Sequence, residues 1–329
     1  MTRPRAGGIT GSRPAIAVAL LALALLLFVP VLGNDYVNSL FRRILMYGAM
    51  AYGWNLIGGY TGYVSFGNVV FFGIGCYTAA MLATHGLTDI VLSIVAAMVV
   101  SAAFAVVLGL PVLRLQGHYF GIATLSIALA VQDIIANIDA FGGSSGLSPK
   151  AATLFGAAVP YVVTYYAMWV VCLGSLLATY FIARSRLGYA FVAIRENEDA
   201  AAVLGINPTR IKVTAWAFSA MMGGAAGAVF IYANSYIDPA TALAIDNNVF
   251  PIVMTLLGGG GTVAGPLLGA FVLTGINETL WNQFPFIHTL FFGAVIVFVV
   301  TLLPRGLLIL LSARRNWRRY LHDLGAYRV

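Results

Sequence analysis

The sequence predicts an all-α integral membrane protein. Three observations carry that expectation: the scarcity of charge, the length of the apolar runs, and the side on which basic residues fall. Hydrophobic residues make up 60% of the 329 residues and charged residues 9%, against about 45–50% and about 25% in soluble domains. So few charges cannot cover the surface of a soluble fold of this size. Apolar runs bounded by turns and charges recur from Ala15 to Leu311, each near the ~20 residues that cross the hydrocarbon as a helix. In lipid every backbone amide must be satisfied within its own segment or in a closed barrel. The runs are continuous and do not alternate polar with apolar, which selects helices.

About ten spans are expected, at roughly 15–33, 40–58, 64–84, 90–112, 119–137, 161–183, 213–235, 248–260, 263–281 and 286–309. The first follows Arg3, Arg5 and Arg13 as a signal peptide would. Its apolar run is long for a signal, and no small-x-small cleavage site precedes Asn34, so it reads as a retained anchor. Gly258 to Gly261 and Pro266 interrupt the eighth and ninth, which are expected as broken helices or a re-entrant hairpin. The chain then divides into a cytoplasmic segment (1–14), a transmembrane domain (15–311) and a basic cytoplasmic tail (312–329).

Charge supports that count. With the N-terminus in the cytoplasm, only Arg42, Arg43 and Lys150 of the 18 Lys and Arg residues fall outside. The positive-inside rule therefore places both termini in the cytoplasm. The net charge of +7 is thus an orientation signal, and no nucleic-acid partner is expected. Partition into membrane lipid is.

Absences narrow the function classes. The only lysines, Lys150 and Lys212, stand outside any Gly-Lys-Ser/Thr context, so this chain has no phosphate loop and binds no ATP of its own. Cys76 and Cys172 lie in apolar runs as packing residues. His85, His118, His288 and His322 share no ligand spacing, so no metal site is expected. No nucleophile, base or metal cluster points to an enzyme. Acidic residues are scarce within the spans, with Asp133 and Glu278 near outer ends. That weighs against a proton-coupled secondary carrier, which stays the alternative together with a passive solute channel.

Two loops stand out: 138–160 outside and 184–212 inside. In the inner loop, residues 189–204 are mostly helix formers, Gly205 suits a left-handed C′ position, and Asn207-Pro208 offers an N-cap followed by proline. A short helix at the membrane face is predicted, then a break, then a span. Arg195, Glu196, Glu198 and Asp199 stand beside Ala200, Ala201 and Ala202. Small side chains admit another surface closely and the charges orient it.

Glycines mark the remaining features. Gly261, Gly265 and Gly269 repeat every four residues, as do Gly223 and Gly227, which predicts close helix packing. The stretch 58–68 joins four glycines to Tyr60, Thr61, Tyr63, Ser65 and Asn68. With Gly62 and Phe66, these residues either line a polar solute's path or form a plain inner turn. Gly143, Ser144, Ser145 and Gly146 in the outer loop make either a flexible connector or a contact for an external binding protein.

The inner loop also carries a resemblance. Arg195-Glu-Asn-Glu-Asp-Ala-Ala-Ala-x-Leu-Gly205 resembles the glutamate-alanine-alanine…glycine loop by which ABC importer permeases dock onto their ATPases. Its form, from Ala193-Ile194 through to Leu204-Gly205-Ile206-Asn207, is similar to that of the branched-chain amino-acid permeases of the LivM type. Asp199 departs from the strict pattern, which would set Glu198 directly beside alanine. Gly58–Asn68, Leu115–Leu125, Gly142–Leu147, Leu256–Gly261 and Pro304–Leu307 resemble further signatures of that family in the same order. The resemblance implies a permease subunit in the cell's inner membrane, importing branched-chain amino acids or a related small polar solute. It implies as partners a second homologous permease, two ABC ATPases that carry the ATP, and an extracytoplasmic solute-binding protein. Arg195, Glu196, Asn197, Glu198, Asp199, Ala200, Ala201, Leu204 and Gly205 would couple to an ATPase.

Overall fold

The computed structural model describes residues 13–151, 153–154, 157–158 and 160–283, together with 293–294, 297 and 306–308. The tenth expected span lies outside the described residues except at those last positions, and the basic tail lies outside them entirely.

The described chain is helical apart from its turns and one two-residue strand pair, Thr153–Leu154 with Ala157–Ala158. Helices α1 (Arg13–Leu26), α2 (Val29–Leu32) and α3 (Asp35–Trp54) come first, and α3 runs on into a π-helical turn at Asn55–Tyr60. Next are α4 (Asn68–Thr84), α5 (Ile90–Val112), α6 (His118–Ala136) and α7 (Tyr161–Arg184). Then α8 (Arg186–Glu196) and α9 (Glu198–Val203) lead into α10 (Pro208–Asn234), α11 (Pro239–Ala242), α12 (Ile245–Gly258) and α13 (Gly265–Gln283). Among the described residues five stretches are long and apolar enough to cross a membrane: Ile90–Val112, His118–Ala136, Val162–Arg184, Pro208–Asn234 and Pro239–Gly258.

Boundaries differ from expectation where polar residues start a helix. Asn34 caps α3 by accepting from the Val37 amide at 3.0 Å, so α3 begins at Asp35 and not near 40. Residues 61–67 are irregular and α4 starts only at Asn68, not at 64. Pro208 at the first turn starts α10 five residues ahead of the apolar run.

Helix α10 is the centre of the bundle. In its most apolar stretch 72% of residues are buried, against 28% for α5 and for α6. It packs chiefly on α5 and α4, and glycines set the distance. A Cβ on Gly75 would lie 2.1 Å from the Gly224 carbonyl oxygen, and one on Gly227 would lie 2.2 Å from that of Phe72. The α12–α13 pair is as close, with a Cβ on Gly269 meeting the Met254 carbonyl at 1.7 Å. Gly261 departs from the expected stripe: at φ +74° it sits in the turn before α13.

The outer-loop glycines do not form a free connector. Residues 139–141 and 143–145 make two 3-10 turns. Leu147 and Ile237 exchange backbone hydrogen bonds at 2.8 and 3.0 Å, and the Tyr236 hydroxyl donates to the Ser145 carbonyl at 3.0 Å. The loop is pinned to the segment between α10 and α11.

Candidate functional site

The inner-loop segment folds as two helices where one was expected. Ser185 caps α8 by accepting from the Leu187 amide, and Phe191 and Ile194 bury its inner face. The single helix expected over 189–204 breaks at Asn197, whose backbone is extended at φ −165°. Its side-chain oxygen accepts from the Ala200 amide at 2.9 Å. Asparagine competes with helix continuation and favours this capping role, so α9 starts anew. Gly205 ends α9 at φ +88°, with the Ile206 amide donating to the Ala201 carbonyl and the Gly205 amide to that of Ala202. This is the Schellman pattern, which needs a left-handed residue at that position. Asn207 then caps α10 by accepting from the Arg210 amide at 3.1 Å.

Three anchors tie α8 and α9 to the bundle. Lys212 of α10 is buried, with its Nζ 2.8 Å from Glu198 Oε1 and donating to the Tyr63 hydroxyl at 3.2 Å. The same Nζ lies 4.4 Å from the centre of the Tyr63 ring. The Tyr63 hydroxyl donates in turn to Glu198 Oε2. Burial, and then this bond to a carboxylate, push the Tyr63 phenol's pKa well above its ordinary value. Arg195 Nη1 donates to the Gly59 carbonyl at 3.1 Å, while its Nη2 pairs with Glu196 at 3.3 Å.

Arg195 thereby reaches two glycine-rich breaks that meet each other. Asn55, in the π turn, donates to the Thr262 carbonyl at 2.9 Å and accepts from the Gly261 amide at 2.7 Å. One side-chain amide thus clamps the turn after α12 to the end of α3. A Cβ on Gly261 would come within 3.0 Å of Arg195 Nη1, and one on Gly62 within 2.8 Å of Arg195 Cγ. The α8–α9 segment is therefore joined to α10 through Glu198 and Lys212, and to the π turn after α3 and the glycine turn after α12 through Arg195.

Outward, α9 presents Asp199, Ala200, Ala202, Val203 and Leu204. Val203 and Leu204 are 88% and 81% exposed, an apolar pair standing clear of the rest of the chain. Ala201 is 2% exposed, so its small side chain serves packing within this protein. Val203 was not singled out by the sequence, since a helix of under two turns has no periodicity to mark its outward face.

The 58–68 residues separate into three groups. Tyr60 and Ser65 are buried, and the Ser65 carbonyl accepts from the Trp54 indole at 2.8 Å. Thr61, Gly62 and Phe66 border a cavity of about 710 Å3 shared with Arg195, Asn197 and Glu198. Asn68 bonds to α10 through both ends of its amide, donating to Ser219 at 2.8 Å and accepting from the Trp216 indole at 3.3 Å. In the outer loop Gly143 is buried, while Ser144 and Ser145 are exposed and Gly146 is half-buried. Among the described residues no group of three His, Cys, Asp or Glu side chains could hold a metal.

Comparison with known proteins follows this geometry. The family model for the branched-chain amino acid transport system permease component matches residues 36–300. The high-affinity branched-chain amino acid transport system permease protein LivM of Salmonella typhimurium is 31% identical over 80% of this chain and 68% of its own length. Its counterpart in Escherichia coli is 29% identical over 93% of this chain and 77% of its own length. The autoinducer 2 import system permease protein LsrC of Photorhabdus laumondii is 30% identical over 35% of this chain and 38% of its own. No solved structure matches the chain.

Proposed function

The chain belongs to the branched-chain amino acid transport permease family, and from that premise we propose how it works as the membrane permease of an ABC importer. The outward face of α9 docks an ATPase subunit. The observation that carries this is the exposed Val203–Leu204 pair on a helix whose other side is held by the Glu198–Lys212–Tyr63 cluster. Arg195, Glu196, Asn197, Asp199, Ala200 and Gly205 shape or flank that face, and Leu204 is part of it. ATP is bound by the ATPase and not by this chain. ATP-driven closure moves α9, and the anchors carry the motion to α10 and to the breaks at 55–62 and 258–262, biasing two conformations of the bundle.

The full assembly is a second homologous permease, two ATPases and an extracytoplasmic binding protein that contacts the outer loop at Ser144 and Ser145. The α8–α9 end faces the cytoplasm of a cell bounded by this inner membrane. That end carries Arg114, Arg184, Arg186, Arg195, Arg210 and Lys212, while Arg42, Arg43 and Lys150 stand at the other. About ten spans with both termini inside fit this arrangement. The solute is a branched-chain amino acid or a related small polar molecule, and Thr61, Gly62 and Phe66 border its inner exit.

The test is docking. Val203→Asp with Leu204→Asp is expected to abolish co-purification of the ATPase while the permease stays monodisperse and melts as wild type does. Undiminished ATPase recovery would refute the docking face.

A further inference from the structure

Resting on the permease reading above, we infer that Asn55 is a positioning residue of the transport cycle. It latches the π turn after α3 to the glycine turn after α12, and the latch opens and closes with the nucleotide state of the docked ATPases. The π turn, the turn after α12 and the backbone at Gly306 meet at this point. A Cβ on Gly59 would collide with Asn55 Oδ1 and come within 2.5 Å of the Gly261 nitrogen. One on Gly306, left-handed at φ +75°, would come within 2.5 Å of the Gly259 nitrogen. Glycine here lets backbones touch that side chains would hold apart. Each is a separate glycine signature in the sequence, and the fold makes them one junction.

The bonds at the junction are of a kind that exchanges. Asn55 is fully buried, and its amide spans the gap, donating to the Thr262 carbonyl at 2.9 Å and accepting from the Gly261 amide at 2.7 Å. The π turn leaves carbonyls to donors outside its ladder. That of Gly59 takes Arg195, and that of Ile57 takes the Thr61 hydroxyl and the Tyr63 amide. Such bonds break and re-form without unwinding a helix, and π turns are rare and concentrate at functional sites. Each side of the latch also keeps its own shape. The Thr262 hydroxyl donates to the Gly259 carbonyl at 2.7 Å and accepts from the Gly265 amide at 3.1 Å, which braces the glycine turn within itself. One turn back along α3, the Ala51 carbonyl takes the Thr255 hydroxyl at 3.0 Å, which keeps α12 against α3 when the latch is open. Arg195 comes from the segment beside the docking face. ATPase movement therefore acts on the Gly59 side of the latch, and Asn55 decides whether the α12 side follows.

The experiment uses the whole complex, this permease with its second permease and its ATPases in lipid nanodiscs, with and without a non-hydrolysable ATP analogue. Amide hydrogen exchange is read by mass spectrometry over 55–62, 186–205 and 258–265, with 219–229 at the centre of α10 as reference. In the wild type the analogue is expected to change exchange over 258–265 about tenfold and to leave the reference unchanged. Asn55→Leu keeps the size of the side chain and removes both bonds. Its response over 258–265 is expected to fall below about twofold while that over 186–205 persists. A clamp that served the fold alone would leave exchange over 258–265 indifferent to nucleotide. Equal exchange there with and without the analogue, in a complex that retains its ATPases, overturns the latch, as does a full response in Asn55→Leu. Should Asn55→Leu yield no complex, the wild-type comparison decides alone. A wild-type preparation that retains no ATPase instead refutes the docking reading on which the latch rests.

Discussion

Glu198 and Lys212 are unequal partners, and the inequality predicts which substitution does more harm. The Lys212 side chain is 1% exposed and that of Glu198 is 19% exposed. Glu198→Gln keeps the shape of the side chain and strands a buried ammonium. Loss of one member of a buried pair costs about 3–5 kcal/mol, and the neutral amide oxygen that remains puts this case near the lower end. Lys212→Met removes the cation and leaves a carboxylate that still reaches water and still accepts from Tyr63. Its cost should be about 1–3 kcal/mol. Combining the two removes the stranded charge, so the double variant should cost less than the two single losses added together. Thermal melting of the purified complex, with trypsin cleavage at Arg195 as a local probe, gives the ranking. Glu198→Gln should melt lowest and lose α9 protection first, with the double variant close to Lys212→Met. Lys212→Met melting below Glu198→Gln, or strictly additive losses, would refute the argument that a buried ammonium held by one carboxylate anchors α9.

Three further outcomes follow from the packing. Gly269→Ala, which sets a Cβ 1.7 Å from the Met254 carbonyl, should lower stability by about 1–3 kcal/mol, whereas Gly275→Ala, with nothing within 4 Å, should raise it by about 0.5–1 kcal/mol; paired melting curves decide. Gly205→Ala meets no neighbour within 4 Å, so its cost of about 1–2 kcal/mol is the left-handed backbone alone, and Gly205→Asn should recover much of it in the same assay. Asn68→Leu strands the Ser219 hydroxyl and the Trp216 indole, so uptake and melting temperature should fall together, by about 1–3 kcal/mol of stability; lost uptake at an unchanged melting temperature would show that its bonds to α10 are dispensable to the fold.

What the sequence disclosed and what it hid follow from the same solvent. Lipid forces each span to satisfy its own backbone, so apolar length located the helices, and the caps at Gly205 and Asn207-Pro208 were legible because their chemistry is local. Asn197 was equally local, but it stands in a run of helix formers and charges, where a cap competes with continuation. Packing was another matter. Lipid and protein interior are both apolar, so the amphipathic stripe that marks a buried face in a soluble helix is weak here. Helix α5 is the more uniformly apolar of the pair yet mostly faces outward, while α10, richer in glycine and alanine, holds the centre. Small and polar residues, not apolar ones, therefore mark the interior of such a bundle. That rule explains the 58–68 stretch, where Asn68 and Ser65 look alike in sequence, yet the Asn68 amide bonds across to Ser219 and Trp216 of α10 while the Ser65 hydroxyl accepts only locally from the Gly67 amide. It also explains why Asn247 and Asn248 were passed over. At the polar start of α12 they straddle the expected boundary of the eighth span at 248, yet they stand against α3 and α10, where an amide meets other polar groups and not hydrocarbon.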